Sequence, residues 1–168
     1  TTDTPYSANQ HIPGLDRGGW HDAGDYDLAT GSQAQTTFNL ALASEEFNVE
    51  TDQTTVNREK RLVLLHTPDG IPDIVQQVAH GVENLLSGYR AAGHSFSGII
   101  ERDIRQYVHL GDGSVITDNK VYDPSLSSDE VSGERSSKLD DRWAFTSHDT
   151  ALEYKVITAL AVASRVLR

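Results

Sequence analysis

The run Gly18-Gly19-Trp20-His21-Asp22-Ala23-Gly24-Asp25-Tyr26-Asp27 places three carboxylates within six positions, beside two aromatics and a histidine. Glycine adopts backbone angles closed to other residues, so Gly24 lets Asp22 and Asp25 turn toward one point instead of splaying apart. Asp25 lies just ahead of a helical pattern, where the positive end of the helix dipole favours an ionised carboxylate. An acid held deprotonated there can act as a general base on water, with its neighbour orienting the same water. Inverting glycoside hydrolysis needs such a base on one face of the sugar and an acid on the other. The same residue types fit plain structure equally well, with Asp25 or Asp27 capping the helix and Asp22 in an Asx turn. A calcium loop fits less well, because the alternating ligand spacing of an EF-hand is missing.

Acids of this kind need a rigid scaffold, and the apolar spacing predicts three helices to supply it. Residues 1–21 are rich in Thr, Pro, Gly and Asn without helical period, and 1–17 read as a linker or entry loop. From Asp27 onward Leu28, Ala34, Phe38, Ala41, Leu42 and Ala43 approximate one helical stripe, with Phe47 near its end. Asn48 to Arg61 is polar and reads as a loop. Pro72 opens a second helix, where its missing N–H costs nothing, and Asp73 suits the first turn. Its stripe is Ile71, Ile74, Val75, Val78, Val82, Leu85, Leu86 and Tyr89, and Gly93 supplies the stop.

The third helix starts near Asp149 and runs to the end of the chain, apolar around most of its circumference. Such a helix is expected to be buried on both sides. Residues 94–141 read as irregular, with a short alternating piece at Gln106 to Leu110 and turns at Gly111-Asp112-Gly113 and Asp123-Pro124. So long a loop inside a domain points to function or a bound ion.

Composition narrows the field. The 168 residues suit one ordinary domain, and 37% apolar against 23% charged residues with mean hydropathy of -0.46 is enough for a core. The net charge of -11 disfavours nucleic acid and anionic membrane as partners. Within residues 1–50 eight acids face the single base Arg17. With no cysteine, disulfides, thiolate metal sites and thiol catalysis are excluded. No apolar run reaches the roughly 20 residues needed to span a bilayer, and no signal peptide is read. The chain also lacks methionine, and its last helix ends at Arg168 without a stop signal, so the sequence is read as a piece of a longer protein. The histidines at 11, 21, 66, 80, 94, 109 and 148 show no HxH or HxxxH spacing, leaving zinc only to tertiary contact.

GGWHDAGDY closely resembles the signature of glycoside hydrolase family 9, the cellulase and endoglucanase family. Two further stretches agree in the family's order: Asp69-Gly70-Ile71-Pro72-Asp73-Ile74 followed by VQQVAHGVENLL, and Asp140-Asp141-Arg142-Trp143 leading into DTALEYKVITALAVASRVLR. The resemblance covers residues 18–168 and is most specific at the first stretch. It implies an all-α fold, a partial (α/α)6 barrel with about three of its helices present and long irregular loops. Residues 18–168 would then be the N-terminal fragment of the catalytic domain. It implies inverting cleavage of β-1,4-glucosidic bonds in cellulose or related β-glucans, with Asp25 as general base and Asp22 holding the water. The family's proton donor is a glutamate in a motif that nothing here matches. Glu83, Glu101 and Glu153 are rejected as substitutes, the first and last because periodicity places them on helix surfaces. The fragment alone is therefore expected to be inactive.

Pyranose C–H faces stack on aromatic rings. Trp20, Tyr26 and Trp143 are accordingly candidate sugar platforms, with core packing the alternative for each, and His21 is a candidate partner for sugar hydroxyls. No cofactor is required. Some family members bind calcium as a structural ion, but the acids Asp112, Asp118, Asp123, Asp129 and Glu130 are read first as a solvated loop. The resemblance further implies a secreted or periplasmic home. Two other readings stay open: an exo-acting hydrolase of β-linked oligosaccharides or glucosaminides, and a catalytically silent carbohydrate-binding helical module.

Overall fold

The computed structural model describes residues 6, 12–15, 17–21, 27–100, 118, 120–139 and 143–168. Among these, α1 (Thr30–Phe47), α2 (Asp73–Ala92) and α3 (Thr150–Val166) fall where the apolar spacing places helices. Three of their ends have a clear local cause. Asn48 closes α1 in the left-handed conformation, which asparagine tolerates, and Gly93 closes α2 at φ +80° with its N–H on Tyr89 O. Asp149 caps α3 by accepting from the amides of Ala151 (2.8 Å) and Leu152 (3.2 Å).

The all-α expectation is wrong. Eight short strands form three small sheets among the described residues, so the fold is mixed α/β. The strands occupy the connections that lack helical period, where unpaired backbone amides and carbonyls would otherwise be left to solvent. β2 (Thr54–Asn57), inside the stretch Asn48 to Arg61 read as a loop, pairs with β3 (Leu62–Leu65), just after it, as an antiparallel hairpin. β1 (Leu28–Ala29), β4 (Gly98–Ile100) and β8 (Trp143–Phe145) form a second sheet in the order β1-β4-β8. β5 (Val121–Tyr122), β6 (Val131–Ser132) and β7 (Arg135–Ser136) form the third, with β5 parallel to β7. The alternating piece at 106–110 and the turn at 111–113 lie outside the described residues.

The three helices share one core. Ala34 of α1, Leu85 of α2 and Leu152, Val156 and Ala159 of α3 meet, flanked by Phe38, Tyr89 and Leu160. A second cluster, Ala41, Val78, Val162 and Ala163, extends the same seam. Leu15, Leu28, Phe96 and Ile99 build a third beneath the β1-β4-β8 sheet. α3 departs from expectation: the side bearing Leu152, Val156 and Ala159 is buried, but Tyr154 and Ile157 are exposed. Near-continuous apolar residues give that helix two usable faces, and the described residues cover one.

The β1-β4-β8 sheet adjoins all three helices along the chain. β1 runs straight into α1, β4 follows α2 and β8 precedes α3. The sheet therefore ties the residues just after Asp25 to those just before the third helix.

Candidate functional site

The segment Gly18–His21, which leads into the acidic pair, is clamped onto α1 and α2. Gly19 N–H donates to His80 O at 3.2 Å, and His80 Nε2 lies 2.6 Å from Gly19 O. The buried Gln33 side chain grips the next residue at both polar groups. Its Oε1 accepts from Trp20 N–H at 2.8 Å, and its Nε2 donates to Trp20 O at 2.7 Å. Each such bond contributes about 1 kcal/mol net, and an unmet buried group costs roughly 1–3 kcal/mol. The Trp20 indole N–H donates to Gln77 Oε1 at 3.0 Å, and the ring meets His80 edge-on at 5.7 Å between centroids.

Three glycines make this approach possible. Gly18 and Gly19 sit at φ +62° and +80°, which other residues rarely adopt. A Cβ on Gly18 would collide with His80 O, and one on Gly19 would meet Asn84 Nδ2 and Gln33 Oε1, each at 2.9 Å. Gly81 leaves room in α2 for the Trp20 ring: a Cβ there would come within 2.7 Å of Trp20 Cη2 and would collide with Thr37 Oγ1. Asn84 lies under the glycine pair, fully buried, with neither side-chain polar atom hydrogen-bonded.

Asp22, Asp25 and Tyr26, the two candidate acids and one candidate platform, lie outside the described residues. Of the other candidates, Trp20 is half-buried in the clamp and His21 is exposed. Trp143 stands on the edge strand β8, 43% exposed, two strands away from the residues that follow the acids. Trp20 and Trp143 thus belong to separate elements, the first on the helix pair and the second on the sheet. Alternation along β8 turns Ala144 toward the core and sets Phe145, 51% exposed, on the same face as Trp143. Sequence reasoning missed Phe145, although large-small-large at 143–145 is the period of a half-buried strand. It also missed Gln33, Gln77, His80 and Asn84, because polar residues on a helix read as surface until a partner element is known.

Two of the three glutamates rejected as acids, Glu83 and Glu153, are engaged elsewhere. Glu83 is half-buried and pairs with Arg90 at 3.4 Å. Glu153 is also half-buried instead of lying on an open helix surface: it accepts from Tyr89 O–H and from Ser95 N–H. Burial, and then that carboxylate, push the Tyr89 hydroxyl above its ordinary pKa. Glu101 lies outside the described residues, as does Asp112. The remaining loop acids turn to local donors. Asp118 accepts from Lys120 N–H, Glu130 from Ser127 N–H, and Asp123 from Ser125 and Arg135. The Ser125 hydrogen bonds, more than Arg135, hold Asp123 below the usual carboxylate range. Among the described residues no three His, Asp or Glu converge as metal ligands, and no helix is long and apolar enough to cross a membrane.

The glycosyl hydrolase family 9 model matches residues 7–168. No curated protein and no solved structure matches the chain. The match takes in the clamped segment, the acids that follow it and all three helices, so the chain belongs to glycosyl hydrolase family 9, the glycosidases of the cellulase type.

Proposed function

We propose that this chain carries the base half of an inverting hydrolysis of β-1,4-glucosidic bonds in cellulose or a related β-glucan. The observation that carries the reading is the Asp22-Ala23-Gly24-Asp25 pair, lying within the family match and entered from a segment anchored at every polar group of Trp20. Asp25 takes a proton from water. The oxygen attacks the anomeric carbon from the face opposite the leaving group, and Asp22 orients that water. A glutamic acid protonates the departing sugar oxygen, so the anomeric configuration inverts. Nothing in residues 1–168 matches the family's motif for that glutamate, and the Glu83 and Glu153 carboxylates are already engaged. The reading therefore places the acid outside these residues and expects residues 1–168 alone to be inactive. Trp20, Tyr26 and Trp143 serve as sugar platforms and His21 as a hydroxyl partner. No cofactor takes part, and a polymeric glucan substrate implies an exported protein.

The test is reducing-end release from a panel of soluble β-glucans by the protein expressed from its whole gene, with Asp25→Asn beside it. Loss of at least about 100-fold in kcat is expected, the scale of a general base. Retained turnover in Asp25→Asn would refute the assignment. Glucan binding without turnover in either protein would favour the silent binding module.

A further inference from the structure

We propose that Gln33 is a positioning residue for this hydrolysis, fixing Trp20, which precedes Asp22 by two residues in the chain; the proposal rests on the base assignment made above. Gln33 lies on α1, outside the signature run, and is 2% exposed. Its amide faces the N–H and the C=O of one residue, Trp20, at 2.8 and 2.7 Å. One hydrogen bond would leave a hinge at Trp20. Two, donated in opposite directions, fix both its place and its rotation. The helix behind the Gln33 amide is stiff, and Thr37 Oγ1 donates to Gln33 O at 2.8 Å one turn further on. Leucine would fill a similar volume without burying an amide, so what the glutamine adds is alignment. Trp20 precedes Asp22 by two residues, and a displacement of about 1 Å at a reacting group can cost on the order of 100-fold in rate.

Two substitutions test the assignment in the glucan assay. Gln33→Leu removes both bonds. It is expected to lower kcat about 100-fold, as misaligned chemistry does. Gln33→Glu separates alignment from packing. When protonated, its carboxyl still accepts from Trp20 N–H and donates to Trp20 O; when ionised it only accepts, and it repels that carbonyl. Burial favours the neutral form. The variant should approach parental kcat at the acid end of the profile and lose about 100-fold as the introduced carboxyl ionises, a limb the parent lacks. Gln35→Leu, on the exposed side of α1 where Gln35 Nε2 donates to Asn39 Oδ1, serves as a control with unchanged kcat.

A cooperatively folded Gln33→Leu with kcat within threefold of the parent overturns the proposal. So does a Gln33→Glu profile parallel to the parent's, and that variant decides alone if Gln33→Leu fails to fold. Full activity in Asp25→Asn, measured alongside, would instead overturn the base assignment and leave the geometry of the clamp as a structural feature.

Discussion

Replacing Gly81 by alanine sets two effects of opposite sign against each other, and the structure says which prevails. In an open helix the change stabilises, because glycine is about 0.8–1.0 kcal/mol worse than alanine in a helix interior. Here the added methyl would lie 2.7 Å from Trp20 Cη2, where carbon atoms prefer about 3.5–4.0 Å, so the ring must move by roughly 1 Å. It would also collide with Thr37 Oγ1. Turning that hydroxyl away breaks its 2.8 Å hydrogen bond to Gln33 O, a loss of about 1 kcal/mol. Overpacking of this kind costs about 1–3 kcal/mol. The propensity gain roughly offsets the lost hydrogen bond, which leaves a net destabilisation of about 1–3 kcal/mol. For a chain of this length each kcal/mol lowers Tm by about 2–4 °C. The assay is thermal unfolding by calorimetry, with the Trp20 indole resonance followed by NMR in a Trp143→Phe background. Expected are a Tm lowered by roughly 2–12 °C and a shifted indole signal. A raised Tm with the indole unmoved would refute the reasoning, for it would mean that helix propensity wins and the ring does not rest on Gly81.

Two further outcomes follow from burial and charge. Leu85→Ala, deep in the three-helix core, should lose about 2–5 kcal/mol by denaturant unfolding, whereas Ile157→Ala on the open side of α3 should stay within about 0.5 kcal/mol; equal losses would contradict the placement of α3. Arg165 donates to both Glu45 oxygens (2.7 and 2.6 Å), and those hydrogen bonds lower the Glu45 pKa. A depressed folded-state value means that its contribution is present at neutral pH and fades as pH falls through that value. Arg165→Ala should return Glu45 to the ordinary glutamate range in a carboxyl NMR titration, and an unchanged midpoint would refute the link.

Much of the helical scaffold is legible in the residues. A 3.6-residue apolar period locates α2 from Ile74 to Tyr89, and Pro72 and Gly93 through their backbones, and Asp149 through its capping carboxylate, mark ends. The acidic signature is equally local, since its glycines and carboxylates are neighbours in the chain. The strands were not legible. β1, β5, β6 and β7 are two residues each, too short to show a period, and their pairing depends on segments dozens of residues away. Calling the chain all-α therefore overlooked structure that only long-range pairing creates.

By itself, then, the sequence located three helices, several of their ends, and the family that the acidic segment marks. Those features depend on side-chain period, cap chemistry and glycine's backbone freedom, all of which act within a few residues. The tertiary structure alone decided that Gln33, Gln77 and His80 would become the clamp on Trp20. It also decided that Gly81 would become a seat for a ring, and that Trp143 would face outward on a sheet begun just after Asp25. A polar side chain on a helix has no stated purpose until another element is packed against it, because a hydrogen bond is a property of two partners.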